Sequence, residues 1–139
     1  AKALAMMPGV AGLFTASNSN PRSVQRLIDG TGSRLTPDDL RHYGALVSDR
    51  GHVNATLQMM AQWDLEPLLR RLPQSGLRGL LIAATADRAV PAAVSRDMAP
   101  QVPGLDYAEL PDLGHLAHEE APQAVAALIL DYLDENTPL

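Results

Sequence analysis

In the first half of the chain, apolar residues recur at the three- and four-residue spacing of a helix face; after about residue 75 the period changes. Asn20-Pro21 has the form of a helix start, with Asn as N-cap and Pro at the first helical position. The run "RSVQRLIDG" then places Val24, Leu27 and Ile28 on one face, with Gly30 as the stop. "LTPDDLRHYGALVSD" repeats the pattern. Thr36 caps, Pro37 opens, Asp38 and Asp39 sit where the dipole favours negative charge, and Leu40, Tyr43, Leu46 and Val47 form the stripe. A third helix is predicted from about Val53 to Trp63 on the spacing of Val53, Leu57, Met60 and Ala61, and a short fourth in "DLEPLLRRLP", ending before Pro73.

The second half reads differently. "LRGLLIAAT" is a short continuous apolar run ending in small residues, which suits a strand buried on both faces. "VPAAVSRDMAPQVP" reads as a helix, "LDYAELP" as a second strand, and "APQAVAALILDYLDEN" as a closing amphipathic helix. Strand–helix–strand–helix is the order of a parallel sheet with crossover helices, so the fold class is α/β. Two strands alone leave edges open and cannot bury both faces. The expectation is therefore that residues 76–139 close a larger α/β sheet, that residues 1–75 form a helical insertion or cap, and that an N-terminal part of the sheet is missing.

Composition narrows the class. The 139 residues suffice for one ordinary domain, 46% are hydrophobic, and no run of 18 apolar residues offers a membrane span. A net charge of −5 with scattered arginines and a single lysine, Lys2, argues against nucleic acid as a partner. Cysteine is absent, which excludes disulfides and thiolate metal sites. "AKALAMMPGVAGLF" is a poor signal peptide because Pro8 and Gly9 interrupt it, and a cytoplasmic or loosely membrane-associated location is expected. The chain does not begin with Met, which points to a processed product or a fragment.

Reactive groups of open parallel sheets gather at the carboxyl ends of the strands. Asp87 lies there, just past "LLIAAT", and His115 lies just past "LDYAELP". Neighbouring strands would bring the two loops together. A carboxylate against one imidazole nitrogen fixes the tautomer, so that the other nitrogen can take a proton from a nucleophile. Alone, Asp87 reads as a loop-and-cap residue and His115 as an ordinary loop histidine; their placement at successive strand ends favours a catalytic pair.

"LLIAATADRAVP" resembles the acid-bearing strand and loop of α/β-hydrolases, and "LPDLGHLAHEEAP" resembles their Gly-His loop before the last helix. The resemblance covers roughly the last 65 residues and implies Asp87 as triad acid and His115 as triad base. "PRSVQRLIDGTGSRL", "LRHYGALVSD" and "MMAQWDLEPLLRRLP" resemble the cap of the magnesium-chelatase accessory proteins of bacteriochlorophyll biosynthesis, members of the same superfamily. That narrower likeness implies a role near magnesium insertion into protoporphyrin, with a porphyrin and chelatase subunits as partners. The departure from the family pattern is the nucleophile elbow, G-x-S-x-G, which occurs nowhere in the chain. "GTGSRL" offers Ser33 without the following Gly and between helices, and the oxyanion-hole amides belong to the same missing part.

The expected activity is hydrolysis of an ester or amide, completed by a nucleophile this chain lacks, so that the chain alone is inactive. The alternatives are a non-catalytic chelatase accessory or porphyrin-binding factor, and an epoxide, haloalkane or carbon–carbon hydrolase. No cofactor is called for. His118 beside His115 lacks a clear third metal ligand. Tyr43, Met59, Met60 and Trp63 are candidates to line a substrate pocket, with core packing favoured for the last three and a half-buried cap role for Tyr43 and His42. Glu119 and Glu120 read as first-turn helix charges and Arg70-Arg71 as a solvated face.

Overall fold

A computed structural model describes residues 10–18 and 20–136 of the chain. The stretch weighed above as a leader lies for most of its length outside the described residues. The chain divides into two compact units. One holds the described residues through Ile28 together with Leu35–Leu65; the other holds Asp29–Arg34 and the described residues from Glu66 onward.

The first unit is helical: α1 (Val10–Asn18), α2 (Pro21–Gly30, its last two residues belonging to the second unit), α3 (Pro37–Ser48) and α4 (Arg50–Ala61). The caps explain where the helices start. Asn20 accepts from the Ser23 N–H at 3.0 Å, starting α2 as expected. Thr36 and Asp39 form a reciprocal capping box, Thr36 Oγ1 accepting from Asp39 N at 3.3 Å and Asp39 Oδ2 from Thr36 N at 3.1 Å. Asp49 accepts from the Gly51 and His52 N–H groups at 2.7 and 3.1 Å. That cap starts α4 at Arg50, ahead of the apolar residue that marked its expected start, and the helix ends at Ala61, so Trp63 lies beyond it. Gly30 is still helical; the left-handed residue that turns the chain is Gly32, at φ +87°.

Helix α1 packs on α3 and α4, and Val24, Ile28, Val53 and Ala61 are the buried apolar residues among the described residues of this unit. The predicted stripes are only partly covered. Leu46, Met59, Met60 and Trp63 are each about half exposed, so core packing does not hold for Met59, Met60 and Trp63.

The second unit contains α5 (Glu66–Arg71), a 3₁₀ turn (Leu72–Gln74), β1 (Gly79–Ala84), α6 (Ala92–Met98), a 3₁₀ turn (Ala99–Gln101), β2 (Leu105–Leu110), α7 (Ala117–Glu120) and α8 (Pro122–Asn136). Pro100 cannot continue α6 as an α-helix, and the chain tightens into 3₁₀ geometry there. The strands pair in parallel, from Gly79 opposite Leu105 to Ala84 opposite Leu110. Strand β1 is half-buried along most of its length, with only Ala84 fully buried, rather than covered on both faces. Its described sheet has two strands, and α6 packs against them. Val102 leads from the 3₁₀ turn into β2, is 1% exposed, and joins Ala84, Ala99 and Leu110 as the buried apolar residues of this unit. Arg70 pairs with Glu66 across one helical turn at 3.2 Å, both side chains exposed, as expected of a solvated face.

Val102→Ala should cost about 2 kcal/mol of stability, the burial of two methyl groups plus the cavity they leave. Val94→Ala, at a side chain 55% exposed, should cost under about 0.5 kcal/mol. Chemical denaturation of both variants tests this, and equal small effects would show that Val102 does not anchor the core.

Candidate active site

The pairing of β1 and β2 continues past the strands. Thr85 N donates to Leu110 O at 3.0 Å and Ala86 N to Leu113 O at 2.9 Å, while the Thr85 hydroxyl accepts from Asp112 N at 2.8 Å. Asp112 takes a left-handed φ of 60°, which short polar side chains tolerate, and so turns the chain tightly back. The two loops therefore leave the sheet side by side, which brings Asp87 to His115.

Asp87 divides its carboxylate. Oδ1 accepts from Ala89 N and Val90 N, both at 2.8 Å, and shapes its own loop. Oδ2 lies 2.9 Å from His115 Nδ1. A carboxylate only accepts, so Nδ1 carries the proton and Nε2 is left as the basic nitrogen. The Asp87 side chain is 11% exposed and that of His115 41%, so the acid is shielded while the imidazole stays reachable. Burial pushes the Asp87 carboxyl up, but hydrogen bonds from Val90 N–H, His115 and Ala89 N–H outweigh it and hold the carboxyl below its ordinary value. The pair opens on a cavity of about 310 Å³, lined among others by Ile82, Val90, Ser95, His118 and Val125. Apolar walls beside one basic nitrogen suit proton transfer to or from a weakly polar substrate.

The other candidates fall elsewhere. Ser33 is 1% exposed and its hydroxyl accepts from Leu116 N at 2.8 Å, so it is occupied and sealed from solvent. His118 lies on the cavity wall and 3.6 Å from Glu119; among the described residues no group of three or more His, Asp or Glu side chains is placed to hold a metal. Tyr43, Met59, Met60 and Trp63 belong to the first unit, Tyr43 half-buried and the others about half exposed. Glu119 and Glu120 do lie on the short helix α7, and Glu120 also bonds backbone beyond it: Oε1 accepts from Gly114 N at 2.8 Å and Oε2 from Arg34 N at 3.0 Å. Sequence reading missed this role, and the only local signal for it is the position of Glu120 six residues after Gly114. Among the described residues no helix is long and apolar enough to cross a membrane.

Comparisons with known proteins fit this geometry. The family model described as the alpha/beta hydrolase family matches residues 3–128. The magnesium-chelatase 30 kDa subunit of Rhodobacter capsulatus is 40% identical over 134 residues, 96% of this chain and 47% of the relative; the chain thus spans about half the length of that protein. Solved structures with the same fold include a bacterial membrane phospholipase A (TM-score 0.68, 23% identity, 88% of this chain and 41% of the other). Another is the N-acyl homoserine lactone degrading enzyme Est816 (0.61, 22%, 93% and 53%), and a third a thermophilic esterase of Thermogutta terrifontis (0.58, 20%, 93% and 51%). Helical segments, a parallel strand pair and a carboxylate–imidazole couple at its carboxyl end agree with the match over most of the sequence: the chain belongs to the α/β-hydrolase family.

Proposed function

We propose that this chain supplies the acid–base half of a hydrolase site acting on an ester or amide, with residues 1–75 as its cap, residues 76–139 as the closing part of the core, and the nucleophile on an N-terminal core outside these 139 residues. The observation that carries the reading is the 2.9 Å contact between Asp87 Oδ2 and His115 Nδ1 at the ends of adjacent parallel strands. His115 Nε2 takes the proton of the nucleophile as its heteroatom bonds to the acyl carbon. It then delivers that proton to the leaving oxygen or nitrogen as the C–O or C–N bond breaks. Asp87 stays ionised and stabilises the imidazolium between the two steps. The identity with the chelatase subunit supports a setting in magnesium-porphyrin metabolism of bacteriochlorophyll biosynthesis, in the cytoplasm or at its membrane surface.

The same identity favours a second reading, a non-catalytic accessory factor that binds a porphyrin or chelatase subunits through the helical first unit. Met59, Met60 and Trp63, apolar and about half exposed, would offer it a surface for a flat ligand.

In the full-length protein, His115→Ala should lower ester hydrolysis by about 10²–10⁴-fold; unchanged turnover sinks the catalytic assignment. Because the Asp87 carboxyl lies below its ordinary value in the folded chain, its ionised form stabilises the fold above a pH of about 3.9. That contribution is lost as pH falls further, through the folded value. The stability gap between the parent chain and Asp87→Asn should therefore be constant near neutrality and shrink below about pH 4; a gap independent of pH would contradict it. For the second reading, micromolar protoporphyrin should shift its absorbance band and quench Trp63, the single tryptophan. Absence of both effects removes porphyrin binding.

A further inference from the structure

Three consecutive backbone N–H groups at the candidate base are each held by a group from elsewhere in the chain. Gly114 N donates to Glu120 Oε1 at 2.8 Å, His115 N to Thr31 O at 3.3 Å, and Leu116 N to Ser33 Oγ at 2.8 Å. Two of the three acceptors come from the loop after α2, residues 31–34, which belongs to the second unit. The Thr31 carbonyl also accepts from Arg88 N at 3.0 Å, so one oxygen joins the loop of the acid to the loop of the base. Glu120 closes the arrangement with its other oxygen, which accepts from Arg34 N at 3.0 Å.

The packing leaves no slack. A Cβ on Gly32 would lie 2.0 Å from Ala86 O, and one on Gly114 would lie 2.3 Å from both Gly32 C and Ser33 N. Backbone thus meets backbone at both loops, which only glycine allows. A loop at a strand end that merely needed burial would not require a buried hydroxyl, a carbonyl with two donors and a bidentate carboxylate on successive residues.

We propose that Ser33 and Glu120 are positioning residues: with the Thr31 carbonyl they fix the backbone of Gly114–Leu116 so that the His115 ring meets Asp87 Oδ2. The catalytic meaning of this rests on the reading of Asp87 and His115 given above; the positioning itself does not. Glu120→Gln sets an amide N–H₂ against one of two backbone donors. Ser33→Ala leaves Leu116 N–H without its acceptor in a buried place.

The test is the hydrogen-bonded Nδ1 proton of His115, observed by NMR in the full-length protein. In Glu120→Gln and in Ser33→Ala this proton should broaden or exchange with water roughly tenfold faster, as the loop opens more often. Val102→Ala, destabilised through the core of the same unit, should leave it unchanged. An unaltered Nδ1 proton in both positioning variants overturns the proposal, as does equal loss in Val102→Ala, which would make the effect one of general stability. Should Ser33→Ala fail to fold, Glu120→Gln decides, since Glu120 is only half-buried.

In the full-length protein, the same variants should lower kcat on the order of tenfold with KM little changed. Unchanged kcat overturns the catalytic consequence. A full-length protein with no hydrolytic activity, but whose variants lose the Nδ1 proton as described, overturns the hydrolase reading and keeps the positioning.

Discussion

Because β1 and β2 run parallel with Ala84 opposite Leu110, both strands release their chains at the same edge of the sheet. An antiparallel pair would send the two loops to opposite ends. Here the ladder persists for two further bonds beyond the strands, and the side chains that follow meet without any search. The separation between Asp87 and His115 is thus a property of backbone register before it is one of side-chain chemistry. The carboxylate then serves two ends at once, one oxygen shaping its own turn and the other holding the imidazole. A change in the turn would move the acid as surely as a change in the acid itself.

What could be read from the sequence, and what could not, divides along the range of the interactions involved. Helix starts at Asn20 and Thr36 are legible because a cap is a local bond between residues three apart. Asp49 was passed over because "RGHV" offers no apolar residue until Val53, and apolar spacing was the guide. Asp87 and His115 could be found because each follows a short strand signature, and the end of a strand is where parallel sheets gather reactive groups. The predicted stripe of α3 holds no buried residue, and in α4 Val53 and Ala61 are buried while Met60 is half exposed. Periodicity says which residues share a face and not whether anything covers it. Ser33 and Thr31 left no readable trace, and Glu120 left only its short spacing from Gly114: the bonds that Ser33 and Glu120 make to Leu116 and Arg34 span 83 and 86 residues.

The two levels of burial at the pair also have a chemical logic. A shielded carboxylate keeps a steady charge and a fixed direction, whereas an imidazole in the proposed role trades protons with a group outside itself. An acid 11% exposed beside a base 41% exposed meets both needs within one hydrogen bond. Mutual packing of the glycines at 32 and 114 adds rigidity where flexibility would blur that direction.

The segment Leu35–Leu65 leaves the second unit after Arg34 and returns to it at Glu66. In polymer terms it is a closed excursion, and the entropy of closing an excursion grows only with the logarithm of its length, about 0.6 kcal/mol for each doubling. The bonds of Arg34 and Glu120 clamp one end of that excursion within the second unit. Lengthening, shortening or replacing the helices in between therefore changes little of what holds the pair of loops together. A lineage can rewrite the helices of that excursion while the bonds around Gly114–Leu116 are inherited intact.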